Sequence, residues 1–534
     1  MASNVFQFRT PTNDSRPEIQ VTPDLHTMVV HAVSALARDE SVFQRAGELV
    51  HVVTPLTGPA RAANSREPRR DAPLIRALPP SVLASRLAAS ARWVAQRKNE
   101  WVPCAVPRDV VSAVHALGEW GGIRAIVGVI SAPTMRPDGT ILQAPGFDAA
   151  TGLLYWPSIR FPVVEDAPSA EDVREAADSI LDLVCDYPFA APSDRSAWLA
   201  LVLTIVARHL VSHTVPFFAV DGNVRGCGKS TLVDLATLVA HGCEAARMPA
   251  SDKDEELRKQ ITSQLLLGSP VVLVDNVRSG SAFGSPALDA LMTSSVWTDR
   301  DLGRMRMLIL PSRSVWVATG NNIGFAHDLS RRTLRIRLAS PLQNPEHRSD
   351  FKHGNEDALK RLTIKDRHAL VTQCLTILRA YHAAGMPDEG AAPWGSFGEW
   401  SRKVGGAIRW LGLPDPMLSR ATADADDDTE GQAVTAVCAA LGHLVGVTGR
   451  HVSARELVDA LWPVVGRHED PRPDPSPTYA AARDALASRG RERPSVQQVA
   501  HWLRARRGTV VRGERIVSSL DTKTNALAWG VEGA

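Results

Sequence analysis

Asp221-Gly-Asn-Val-Arg-Gly-Cys-Gly-Lys-Ser-Thr231 decides how this chain is read. Just ahead of it lies the short apolar run Phe217–Val220, and just after it Leu232–Ala240 has helical character. Strand, glycine-rich turn and helix, in that order, is the setting in which backbone N–H groups curl around phosphate oxygens while the helix N-terminus adds its positive dipole end. Gly222, Gly226 and Gly228 supply the backbone freedom. Asn223 stands where such loops usually begin with glycine, and asparagine is among the side chains that best tolerate positive φ. Lys229 is placed to reach the β- and γ-phosphates of ATP, and the Ser230 hydroxyl, beside Thr231, to ligate Mg2+. Cys227 reads as a small loop residue.

Two further segments extend the site. Val271-Val-Leu-Val-Asp275 has the composition of a fully buried parallel strand ending in a carboxylate, and Asp275 would hold the Mg2+ hydration shell. The next residue is Asn276, whose amide can orient water but cannot accept its proton. The hydrolytic base is therefore unassigned, with Glu255 and Glu256 as candidates or simply a charged helix face. Ser314–Thr319 gives a third strand ending in Gly320-Asn321-Asn322, and Asn321 at its tip could sense the γ-phosphate. Asp328-Leu-Ser-Arg-Arg332 follows, and Arg331 and Arg332 fit an arginine finger that reaches a neighbouring subunit's ATP. Such a finger implies a closed head-to-tail ring; the alternative is a surface basic pair.

The rest of the chain, 534 residues in all, is too long for one ordinary core. Residues 1–165 read as an N-terminal α+β domain: a strand at Ile19–Val21, a helix at Leu25–Arg38, a strand pair over Ser41–Val53 turning near Ala46–Gly47, and a strand-like run at Ile123–Ile130. Residues 166–215 read as a helical collar, with one helical stretch over Ala170–Val211. Residues 216–345 alternate strands and helices, 346–415 form a helical lid, and 416–431 an acidic linker. Residues 432–534 place three or four short helices before two strands, which suggests a winged helix. The net charge of +2 says nothing about nucleic acid, and only nine of the 60 basic residues are lysine. The six cysteines show no paired spacing, which argues against disulfides or a zinc ribbon and suits a reducing cytosol. No apolar run reaches the roughly 18 residues a membrane span needs.

Phosphate loop, Val274-Asp-Asn276, Ala318-Thr-Gly-Asn-Asn322 and Asp328-x-x-Arg-Arg332 occur in the order seen in superfamily 3 helicases. The chain more closely resembles the helicase halves of phage and prophage primase-helicase or replication proteins. Ala132–Gly139, Pro145–Gly152 and Ser396–Ser401 also resemble segments flanking the ATPase there, so the likeness spans residues 15 to 415. It implies an α/β AAA+ P-loop ATPase core, a parallel sheet flanked by helices, that uses ATP and Mg2+. It also implies a homohexamer translocating on DNA in the bacterial cytoplasm, and in that group Asn after the strand-end Asp is common. Many relatives carry a primase domain ahead of the helicase. Residues 1–165 contain neither an Asp-x-Asp nor a cysteine cluster, so a primase would be a separate partner.

Two places could hold DNA. The stretch Trp297–Pro311 could form a hairpin that, in superfamily 3 helicases, projects into the ring channel and grips single-stranded phosphates. Arg304 and Arg306 near its tip would make that contact, or else form a solvated turn or pack between subunits. At the C-terminus a helix over Pro494–Arg507 leads into a basic wing. There Arg504, Arg506, Arg507, Arg512 and Arg515 could reach duplex phosphates, unless the domain binds protein instead. The leading expectation is an ATP-dependent DNA helicase in phage or mobile-element replication. The alternatives are an origin-binding initiator or loader using ATP for ring assembly, and a non-helicase AAA+ ATPase.

Overall fold

The protein is described here by a computed structural model covering residues 15–53, 74–251, 253–278, 282–300, 307–342, 344–387, 390, 394–420, 429–463, 477–487, 493–508, 510–511, 514–521 and 526–533. The chain forms two compact units, Met1–Ala421 and Thr422–Ala534.

Phe217–Gly222, buried throughout, is strand β1 of a five-stranded sheet. It is joined by β2 (Ala246–Pro249), β3 (Val271–Val277), β4 (Val315–Asn321) and β5 (Thr333–Leu338) in the spatial order β2-β3-β4-β1-β5, with every pairing parallel. Helices α1 (Pro192–Val206), α2 (Lys229–His241), α3 (Asp254–Leu267) and α4 (Glu356–Ala383) accompany it. Successive strand residues point to opposite faces, and the apolar runs divide accordingly. Phe218, Val220, Leu273 and Val317 join the core that includes residues of α1, α2 and α4. Phe217, Ala219, Val272, Val274, Trp316 and Ala318 join a second core with Leu257, Ile261 and Leu265 of α3. Both faces of the sheet are covered, which is why its strands read as continuous apolar runs rather than alternating ones.

Two segments depart from the sequence reading. Ala170–Val211 is not one helical stretch: it forms Ala170–Asp182 and α1, then a short 3-10 turn at Arg208–Leu210. Pro188 lies in the break and Pro192 opens α1, and proline, which lacks an N–H donor, is tolerated in a helix only in its first turn. A residue in that break, Tyr187, consequently reaches the glycine-rich loop after β1. Ile123–Ile130 is strand only at Gly128–Ile130, paired parallel with Leu153–Tyr155. Nearby residues are also built into the core on one face of the sheet: Ala132, Met135 and Val164 belong to it, and Thr134 Oγ1 donates to Val206 O at 2.9 Å.

The hairpin expected before the third strand forms from Val296–Arg300 and Met307–Pro311, paired antiparallel. Its tip, with Arg304 and Arg306, lies outside the described residues. In the second unit, helices Thr429–Thr448, Ala454–Leu461, Pro477–Leu486 and Val496–Ala505 accompany an antiparallel sheet whose long strands are Glu514–Asp521 and Ala526–Gly533. The first of these helices runs 20 residues and is not short. Among the described residues no helix is long and apolar enough to cross a membrane.

Candidate nucleotide site

The loop between β1 and α2 turns on Gly226 and Gly228, which have φ of 73° and 84°. That left-handed backbone strains any other residue. A Cβ on Gly226 would also meet the Glu346 carboxylate, and one on Gly228 would lie 2.8 Å from Tyr187 Cε1. Gly222 is constrained from the other side, because its Cβ would meet Cys227 Sγ at 2.6 Å.

Asn223 is not among the residues with positive φ. Its carboxamide instead pairs with the main chain of Ser340, donating to the carbonyl at 2.9 Å and accepting from the amide at 3.0 Å. Glycine could not make that staple between the loop and the chain leaving β5. Cys227 is buried, and its Sγ lies 3.3 Å from Val224 O.

Sheet register brings the remaining groups to the loop. Gly222 of β1 sits opposite Asn321 of β4. Lys229 Nζ donates to Asn321 Oδ1 at 2.7 Å and to Val224 O at 3.1 Å. Ser230 Oγ donates to Asp275 Oδ1 at 3.0 Å, and Thr319 Oγ1 donates to the same oxygen at 2.6 Å. The β3–β4 register slips between Val274 and Val277, where Asn276 adopts a φ of 60°. Asparagine accepts that left-handed backbone far better than most side chains, which gives a conformational reason for its place after Asp275. Its backbone N–H donates to Thr319 Oγ1 at 3.2 Å, so the slip is anchored.

A charged network lies behind Asp275. Arg247 on β2 sits 3.9 Å from Asp275 Oδ2 and 2.6 Å from Asp234 Oδ2 on α2. Lys360 on α4 meets Asp234 at 3.0 Å and Glu244 and Glu356 at 2.9 Å each. Burial opposes the charge on Lys360, but its bonds to Glu356, Glu244 and Asp234 more than offset this and hold its pKa above the ordinary lysine value. Burial pushes the Asp234 carboxyl up. Thr231 is buried, and burial pushes up the phenol of Tyr187, which lies against Gly228.

Two cavities flank this centre. One of about 450 Å3 is lined by Asn223, Val224, Arg225, Asn321, Asn322, Asn344 and Glu346. The other, of about 390 Å3, is lined by residues including Asp275, Asn276, Lys253 and Arg278. Lys229, Ser230, Asp275 and Asn321 are thus one connected cluster, whereas the exposed Asn276 side chain faces the second cavity. Glu255 pairs with Lys259 at 2.9 Å along the solvent side of α3.

Arg331 and Arg332 lie in a 3-10 turn and share Asp328, whose carboxyl their bonds hold down to about 2. Arg331 is 62% exposed and Arg332 11%. In the C-terminal unit Arg504 and Arg507 are exposed, Arg506 stacks over Trp502 at 4.4 Å, and Arg515 pairs with Glu532 at 3.1 Å. Arg512 lies outside the described residues. The sequence reading missed Tyr187, Arg247, Thr319 and Glu346. Only Thr319 had a local signal, as part of the strand tip that carries Asn321.

No protein-family model matches the chain, and no curated protein matches it. Solved structures with partial likeness include the NrS-1 C-terminal region, 12% identical, with 82% of this chain and 93% of that one covered at a TM-score of 0.33. The JCV helicase is 16% identical over 48% of this chain and 72% of its own, with a TM-score of 0.20. The active helicase Cch of SCCmec type IV is 12% identical over 76% of each chain, with a TM-score of 0.31. These values are too low for the likenesses to bear on fold or chemistry, so the functional reading rests on the geometry of the site.

Proposed function

We propose that this chain is an ATP hydrolase of the superfamily 3, AAA+ type that uses turnover to move along DNA. The observation that carries the hydrolase reading is the cluster of Lys229 on Asn321 and Ser230 on Asp275, built at the mouth of a glycine loop by a parallel sheet. Lys229 exchanges Asn321 and Val224 for phosphate oxygens, and Asn321 is left beside the terminal phosphate. The Ser230 hydroxyl and the Asp275 carboxylate form an all-oxygen donor pair that suits Mg2+, which supplies charge neutralisation on the phosphates. Arg247 backs Asp275 and keeps its free oxygen oriented. Arg331, the more exposed of its pair, reaches a neighbour's site in a homohexameric ring.

The DNA reading rests on the order of the motifs and on the hairpin ahead of β4, the element expected to carry Arg304 and Arg306. The C-terminal unit acts as a winged helix, with Arg504, Arg506, Arg507, Arg512 and Arg515 toward duplex phosphates, and priming falls to a separate protein. Lys229→Ala is expected to lower ATP turnover about a hundred-fold or more, the scale set by removing one preorganised group from developing charge. It should also abolish unwinding of a forked duplex. Turnover retained in that variant would remove the hydrolase assignment; wild-type turnover without any unwinding or DNA stimulation would remove the DNA motor and leave the ATPase.

A further inference from the structure

An ATP hydrolase of this kind needs an acceptor for the proton of the attacking water, and the position after Asp275 does not offer one. Asn276 cannot take a proton, and it faces the cavity away from Asn321. Glu255 is committed to Lys259 and 82% exposed on α3. We propose that Glu346 is the general base, an assignment that rests on the hydrolase reading above.

Three observations place it. Glu346 contributes the one carboxylate among the residues lining the cavity that also holds Asn321, Asn322 and the loop tip at Asn223, Val224 and Arg225. The two groups that Lys229 Nζ touches by hydrogen bond through oxygen, Asn321 and Val224, are walls of that same cavity, so the ammonium marks its phosphate end. Glu346 Oε2 also lies directly against Gly226, at the turn of the glycine loop. Among the described residues its carboxylate has no ion-pair partner, and it is exposed to solvent from which a water can enter.

The turn that carries it, Pro345–His347, is fixed from behind. Pro345 is buried, and Arg348 donates to Asp186 O at 2.7 Å while stacking over Phe351 at 4.6 Å. Asp186 is the neighbour of Tyr187, which packs beneath Gly228. Base and phosphate loop are therefore referenced to one short segment, the preorganisation that proton transfer requires.

In the step itself, the water oxygen forms a bond to the γ-phosphorus as the bond from that phosphorus to the β–γ bridging oxygen breaks. The bridging oxygen keeps the electron pair and leaves on ADP. The water proton passes to a Glu346 carboxylate oxygen, and from there to solvent once inorganic phosphate departs.

The test uses the full chain and its isosteric variant Glu346→Gln, with Glu346→Asp as a second. Binding is read with a fluorescent mant-ATP and turnover by phosphate release over a range of pH. Glu346→Gln should keep mant-ATP affinity within about 3-fold and lose about 100-fold or more of phosphate release, the contribution of a positioned base. Glu346→Asp should retain an intermediate rate and the acidic limb of the pH profile that Glu346→Gln loses. Release within about 3-fold of wild type, or faster than wild type, overturns the assignment, the second by showing that the carboxylate obstructs the cavity. Weakened mant-ATP binding with normal release at saturation overturns it too, making Glu346 a ligand. Wild-type protein that binds mant-ATP without releasing phosphate sinks the hydrolase reading itself and this one with it, a result distinct from turnover that ignores residue 346.

Discussion

Arg331 and Arg332 are adjacent and chemically identical, yet Asp328 holds them in different surroundings. Arg332 is largely enclosed, and its Nη2 donates to the half-exposed Asp328 carboxylate at 2.9 Å. Arg331 makes two bonds to the same carboxylate at 2.9 and 2.7 Å but is mostly exposed. An exposed pair contributes little because solvent screens it and both side chains lose freedom. Arg332→Ala should therefore cost about 1–3 kcal/mol of stability, the range for an enclosed hydrogen bond to a charged group. Arg331→Ala should cost about 0–1 kcal/mol. Urea unfolding midpoints decide this; equal losses would show that the two arginines are not divided between a structural and a projecting role. The same scale explains what was legible. Gly222, Gly226, Gly228, Lys229 and Ser230 form a local motif whose spacing carries its own geometry. Asn223 looked like a glycine substitute, but its two bonds to Ser340 join positions 117 residues apart. Glu346 was invisible for the same reason, since nothing within its own segment marks it as facing Gly226.

Elements were readable where one periodicity ran unopposed. The runs of β1, β3 and β4 announced buried parallel strands because both faces of each are covered. The stretch before β1 was misread because its helical spacing continues across Pro188 and Pro192, and only the break puts Tyr187 against Gly228. Helix starts are local in the opposite sense, and one of them makes a pH-dependent prediction. Ser453 and Glu456 form a reciprocal cap at the start of Ala454–Leu461. The bond from Arg450, first, and those from Ser453 lower the Glu456 carboxyl from an ordinary 4.5 to about 2. A depressed folded-state pKa means the stabilisation is complete above the unfolded value and is lost as the carboxylate protonates. Amide protection over residues 453–461, measured by hydrogen exchange and corrected for intrinsic rates, should thus fall as pH drops from about 4.5 to about 2. Glu456→Gln should show lower protection that is flat across that window. A wild-type profile equally flat would mean the cap does not depend on the charge.

For the whole molecule the open matter is whether the site is complete in one chain. Lys229 and Ser230 at the start of α2 and Asp275 and Asn321 on β3 and β4 converge within one chain, and these are the groups assigned to the phosphates in the proposed site. Arg331 does not converge with them; it lies in the turn between β4 and β5, bonded to Asp328. In the proposed head-to-tail ring each site takes Lys229 from one subunit and Arg331 from the next. That arrangement makes complementation possible between two inactive proteins. Lys229→Ala subunits lack the phosphate grip but still present Arg331, and Arg331→Ala subunits do the reverse. In a random one-to-one mixture about a quarter of interfaces join an intact Lys229 to an intact Arg331. Phosphate release should accordingly rise from near background in either protein alone to roughly a quarter of the wild-type rate, provided the sites fire independently. A mixture no more active than its components at any ratio would place Arg331 outside the neighbouring site and leave each chain to hydrolyse ATP alone.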